Sequence, residues 1–397
     1  MNSTSSFEKG LQLLDAGDYK ACEDLFQNKL NEASDKERKT REYANNLLWL
    51  GHVQLKLDDN ENARDNLSQA ENLYRELGGD NQENLANAMT KHGEALTSLE
   101  RTSEAHDKLE EALKLAKEVC GSCSVQVSDT LTALGLNYLK KNDLDKADQY
   151  LSKAYGMRKG IYGANSEIAM SLNHLSVCYS QADNFTPAQV MAIQALEMQK
   201  PIIGDEHPDY GISLLNLATV YVKQGRMPKA EPYASEAVEV FKKKLPEYHS
   251  LNIWAKDRLG SIKLSAGENQ EAREIYTGSL KLAQKKWGKD SPNTIGSLIG
   301  LGLASMNCGD YESSEKYLSI ALDMMQHSPQ VNPSIEYSIL QQLACSYVFQ
   351  LKLSDAVRLV PDSLRARHTA DFNDTMDTLH KVSNFLSKQI ENWKDKK

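Results

Sequence analysis

Two cysteines separated by a dipeptide, Cys120-Gly-Ser-Cys123, form the pair in this chain whose type and spacing best suit chemistry. Such a pair supplies half of a tetrahedral zinc site, or a redox couple near a helix end. A zinc site needs two further ligands, and no other close Cys/His pair stands in the sequence, although His92 or His106 could approach in space. His174 and His207 carry the right side chain for proton transfer. However, His174 adjoins a leucine of an apolar helical face, and His207 precedes Pro208 at a turn, so both read as structural. The chain has no G-x-S-x-G elbow, no G-x-x-x-x-G-K-[ST] phosphate loop and no His-Glu-x-x-His. Neither catalysis nor a resident cofactor or metal is expected.

The elements that position these residues repeat. Small residues recur as Gly51, Gly93, Gly135, Ser176, Ala218, Gly260, Gly302 and Ala344, at intervals of 42 residues with one of 41. Twelve positions after each comes Ala63, Ala105, Ala147, Ala188, Ala230, Ala272, Ser314 or Ala356, and seven further on Ala70, Ala112, Ala154, Ala195, Ala237, Ser279, Ala321 or Ser363. Around these columns apolar residues fall at helical spacing, as with Leu214, Leu217 and Tyr221 about Ala218. Each period is therefore two amphipathic helices, antiparallel, whose backbones approach closely at the small residues. Such a hairpin cannot bury its own apolar face and must stack on copies of itself. Gly79, Gly121, Gly163, Gly204 and Gly288 end the second helices, where a left-handed residue is favoured. Gly121 thus makes Cys120–Cys123 an inter-repeat turn, with the metal or redox pair as the alternative.

Residues 1–39 read as a degenerate hairpin that caps one end, with Gly10 and Cys22 in the column positions. Residues 40–368 read as one array of about eight 42-residue repeats, weakening in the eighth, where Pro361 interrupts the second helix. Residues 369–397 read as a capping helix with Phe372, Met376, Leu379, Val382, Leu386 and Ile390 on one face and a charged tail, WKDKK. Lys plus Arg number 46 against 55 Asp plus Glu, a formal charge of -9, which argues against nucleic acid or an anionic membrane surface as partner. The six scattered cysteines lack the density of a secreted disulfide framework, so a reducing cytoplasm is expected. No apolar run approaches spanning length, and none follows a basic segment at the N-terminus.

The L-x-x-L-A-x-x-Y, A, A columns resemble the tetratricopeptide repeat. The sequence G-x-x-H-P at 204–208, LNLATVYVKQGRMPKAEP at 215–232 and LNHLSVCY at 172–179 are similar to the kinesin light chain variety. The resemblance covers roughly residues 7–368, but the sustained heptads of a motor subunit's coiled coil are not found before the first repeat. It implies an all-α, right-handed superhelical solenoid whose concave groove is lined by first helices, six and three residues before the small column and one and four after it. Those offsets give Met170, Asn173, Val177 and Ser180; Ile212, Leu215, Thr219 and Val222; Trp254, Asp257, Ser261 and Leu264; and Gly296, Ile299, Leu303 and Met306. Asn173 matches a groove asparagine of the kinesin light chain pattern, whereas Leu215 stands at the equivalent place in the next repeat. The lining is apolar, so the expected partner is an amphipathic helix or an extended peptide of another protein. Trp254 is its best anchor. An interaction scaffold or adaptor is the favoured reading, and a peptide-responsive regulatory sensor is the alternative.

Overall fold

The computed structural model describes residues 6–161, 165–327, 333–350 and 352. A cap hairpin, α1 (Ser6–Asp15) and α2 (Tyr19–Glu32), precedes seven repeat hairpins. These are α3 (Arg41–Lys56) with α4 (Asn60–Leu77), α5 (Gln82–Ser98) with α6 (Thr102–Cys120), and α7 (Val125–Lys140) with α8 (Leu144–Ile161). Next come α9 (Ser166–Gln181) with α10 (Phe185–Ile203), α11 (Pro208–Lys223) with α12 (Met227–Lys244), α13 (Ser250–Ser265) with α14 (Asn269–Trp287), and α15 (Ile295–Asn307) with α16 (Tyr311–Gln326). The described chain ends on α17 (Pro333–Phe349), and no strand occurs among the described residues. The second helix of an eighth hairpin and the capping helix expected at 369–397 lie outside them.

Each described hairpin turns at the seventh residue after its small residue, which is left-handed in all of them. Gly17, Gly225, Gly267 and Gly309 fill it with φ of 70°, 73°, 82° and 81°, while Asp58, Glu100, Asn142 and Asp183 adopt φ of 56° to 62° without being glycine. The helices then cross where a large side chain from the second seats on the small residue of the first. A Cβ added at Gly51 would lie 2.5 Å from Leu67 Cγ, one at Gly93 2.5 Å from Leu109, and one at Gly135 2.6 Å from Leu151 Cγ. The cap follows the same rule despite its divergent sequence: a Cβ at Gly10 would meet the Phe26 ring at 2.5 Å, and Cys22 Sγ donates to the Gly10 carbonyl at 3.2 Å.

Consecutive first helices meet along a seam. The residue three before one small column faces the residue five before the next, and the two are matched in polarity. Thr90 and Thr130 share a hydrogen bond of 2.8 Å, Asn173 Nδ2 donates to Ser213 Oγ at 2.6 Å, and Ser297 Oγ donates to Asp257 at 2.9 Å. Ser213 in turn donates to Gln199 of α10. At the equivalent positions Leu48 and Ala88 lie in one apolar cluster, as do Leu215 and Ala255, and Ile299 packs on the cluster that holds Ile339.

By its packing the chain forms two compact units, Met1–Ala255 and Lys256–Lys397. The first owes its compactness to closing on itself. One apolar cluster joins Tyr19, Phe26 and Leu47 of the cap and first repeat to Tyr210, Leu214 and Phe241 of the fifth. Lys56 pairs with Asp209 at 3.3 Å, Lys244 with Asp18 at 2.9 Å, and the Tyr19 and His207 rings meet edge-on at 6.2 Å between centroids. In the second unit, Leu298, Leu301, Leu318 and Ile339 form a separate core with Tyr276.

Two stability tests follow from the crossing and the seam. Gly135→Ala should destabilise the chain by about 1 to 3 kcal/mol, because Leu151 must move and this outweighs the gain in helix propensity. Adding Leu151→Ala should recover part of the loss, giving a favourable coupling in a urea-unfolding double-mutant cycle. A neutral Gly135→Ala would contradict the crossing. Leu215→Asp should cost about 3 kcal/mol or more by leaving a carboxylate in the apolar seam, whereas Val177→Asp should leave the melting temperature close to that of the parent.

Candidate partner-binding cavity

The seam removes part of the expected groove. Asn173 and Leu215 are buried, Asp257 is bridged to Ser279 at 2.5 Å and to Ser297, and Ile299 packs on the second unit's core. All four stand three residues before a small column, and the correction has one cause: on these helices that position points along the stack at the next first helix, not into the concavity. Burial pushes the Asp257 carboxyl up to about 6 against the bonds from Ser279 and Ser297, which suits an internal bridge.

The other offsets remain closer to the surface. Met170 is half-buried, with Gln199 Nε2 3.5 Å from its sulfur. Ile212 packs on the first unit's cluster, and Thr219 Oγ1 donates to the Leu215 carbonyl at 2.7 Å. Val222 is half-buried, as are Leu303 and Met306 in the second unit. Trp254 is 54% exposed, the most open of the set apart from the glycine. Of the sixteen residues offered above as groove lining, Val177 and Trp254 are brought together.

They meet in a cavity of about 470 Å³ within the first unit. Its walls are Leu55 of α3; Glu94, Thr97 and Ser98 of α5; Ala133, Leu136, Leu139 and Lys140 of α7; Val177 and Gln181 of α9; and Trp254 of α13. Five first helices thus present their inner face to one space, which falls within the size range of ligand sites. Applying the offsets of one and four to Gly51, Gly93 and Gly135 yields His52, Leu55, Glu94, Thr97, Leu136 and Leu139, all of which except His52 line the cavity. That Trp254 faces residues two hundred positions earlier is a consequence of closure.

The lining is electrostatically quiet. Glu94 is paired with Lys91 at 2.9 Å and Lys140 with Glu100 at 3.4 Å. On the same helices two imidazoles are held neutral: burial, with Lys91 and Lys56 adding, keeps His52 far below the usual range, and burial, with Arg158 adding, holds His174 down at about 4. Apolar contact, with Thr97, Ser98 and Gln181 as polar partners, is what such a surface offers.

The sequence's other candidates fall elsewhere. Gly121, with φ of 80°, ends α6 and separates two free thiols. Burial, then Glu83, raises the Cys120 thiol, the opposite of what a reactive thiolate needs. Among the described residues no group of three His, Cys, Asp or Glu side chains is arranged to hold a metal ion. His207 caps α11, accepting the Asp209 amide on Nδ1 at 3.0 Å. No described helix is long and apolar enough to cross a membrane.

Comparison with known proteins supports the repeat architecture. The family model described as tetratricopeptide repeat matches residues 42–118, 126–200 and 167–243, and that of anaphase-promoting complex subunit 5 matches 301–389. Protein kinesin light chain-related 1 of Arabidopsis thaliana is 24% identical over 213 residues, 53% of this chain and 35% of its own length. A clustered mitochondria protein homolog of Emericella nidulans is 23% identical over 167 residues, 42% of this chain and 14% of its own length. The chain therefore spans about a third or less of these curated relatives. In fold it is similar to a Rap protein solved in complex with competence and sporulation factor, with a TM-score of 0.60 at 14% identity, covering 97% of this chain and 98% of that one. The chain is a tetratricopeptide repeat protein, with repeats similar to those of a kinesin light chain-related protein.

Proposed function

We propose that this protein is an interaction scaffold that holds a short apolar segment of a partner protein, an amphipathic helix or an extended peptide, in the cavity of its first unit. The observation that carries the reading is Trp254. A tryptophan left 54% exposed beside the leucines, valine and alanine of this space is not explained by burial in the core, and aromatic side chains dominate interface hot spots. The cavity is too small for a folded domain and suits a few side chains of one segment. Its paired charges favour an uncharged stretch. All six cysteines are free thiols, which supports a reducing compartment such as the cytoplasm.

A peptide-responsive sensor is the second reading. It is favoured by the position of Leu55 and Trp254, which belong to opposite ends of the closed turn and would both touch one occupant. The Rap protein with a similar fold holds competence and sporulation factor, and a short peptide fits the present cavity by size.

Peptides selected from a random display library against the full chain test the site. Trp254→Ala and Leu136→Gln should each weaken the selected peptides by about 2 kcal/mol, roughly thirtyfold, with melting unchanged. Val190→Asp, on an exposed face of α10, should leave affinity as it is. Selected peptides that bind Trp254→Ala and Leu136→Gln as tightly as the parent would exclude this cavity as the binding site.

A further inference from the structure

Two histidines one repeat apart stand in equivalent places at the closure. His207 Nδ1 accepts the amide of Asp209 at 3.0 Å, and His249 Nδ1 accepts that of Leu251 at 3.1 Å. With Nδ1 as acceptor, each neutral ring carries its proton on Nε2. His249 Nε2 lies 3.1 Å from the Lys56 carbonyl, and the His207 ring meets Tyr19 of the cap edge-on at 6.2 Å between centroids. Each ring therefore caps the start of one first helix and touches an element four to five repeats away, His249 gripping the last turn of α3. The fit at the first is close: a Cβ added at Gly17 would lie 3.3 Å from His207 Nε2 and 2.5 Å from Pro208 Cδ.

The second latch adjoins the cavity on both sides. Leu55 precedes the gripped carbonyl, and Trp254 lies one helical turn beyond His249. We propose that His207 and His249 are positioning residues: they hold residues 6–57 against residues 203–255, and the His249 bond to the Lys56 carbonyl sets Trp254 across from Leu55. The ion pairs Lys56–Asp209 and Lys244–Asp18 assist, but they are partly exposed and screened by salt, whereas the imidazole bonds are not. The inference rests on the cavity's geometry and not on its occupant, so it stands or fails separately from the scaffold reading.

The test separates gripping from simple helix capping. Asparagine at position 249 keeps an acceptor for the Leu251 amide but is too short to reach Lys56, whereas glutamine reaches. The full chain labelled with 5-fluorotryptophan is read by fluorine NMR, with the Trp254 resonance assigned through Trp254→Phe and its exposure measured by a soluble paramagnetic probe. In His249→Asn the Trp254 signal should move and its probe broadening rise at least twofold, with helicity unchanged and the Trp287 signal in place. His249→Gln should restore much of the parent signal. A Trp254 signal unmoved in His249→Asn, or moved equally in both variants, overturns the proposal. Should His249→Asn fail to fold, Gly17→Ala provides the same reading through the first latch: a displaced Trp254 signal supports the closure as one unit, and an unmoved one overturns it.

Discussion

The described hairpins of this protein depend on one contact, a side chain of the second helix seated on the small residue of the first, sixteen positions earlier. Where that residue is glycine, its partner is large: Phe26 over Gly10, Leu67 over Gly51, Leu109 over Gly93, Leu151 over Gly135, Tyr276 over Gly260 and Leu318 over Gly302. Where it carries a Cβ, as at Ser176 and Ala218, the residue sixteen on is a buried alanine, Ala192 or Ala234. The volume at the crossing is shared out differently in the two cases but still filled, as close packing demands. The contact fixes how closely the two helices of a hairpin approach and lets divergent sequences, the cap included, enter one stack.

The seam then relates each hairpin to the next. Its polar pairs, Thr90 with Thr130, Asn173 with Ser213 and Asp257 with Ser297, satisfy one another in places where an unmatched hydroxyl or carboxylate would cost about 1 to 3 kcal/mol. Apolar positions such as Leu215 lie in apolar surroundings. A partner polar in one repeat and apolar in the next would break the register, so the alternation itself specifies neighbours. Repeated through the first unit, these steps bring α11 and α12 back to the cap, and the inner face of five helices becomes the wall of a cavity.

Much of this was written in the columns. The helices, their turns and the small residues at the crossing follow from the period, and the +1 and +4 offsets lead to Leu136, Leu139 and Val177. The offset of minus three misled because helical spacing alone does not distinguish a residue facing the concavity from one facing the neighbouring first helix; Leu215 looks the same in either place. The polarity match between Asn173 and Ser213, forty residues apart, is the sequence signal that would have told them apart. Closure was illegible for a different reason. It joins Lys56 to Asp209 and to His249 across 153 and 193 residues, through contacts that depend on the summed rotation of every intervening hairpin.

The first unit's inner surface is proposed to receive a segment of another protein. An experimental structure of the full chain with a display-selected peptide is the most direct test of this proposal. The peptide's apolar side chains should lie between Leu136, Leu139 and Trp254, with the closure of residues 6–57 on 203–255 intact. A peptide seated on the outer second helices, or the chain's own residues 353–397 filling the cavity, would contradict it.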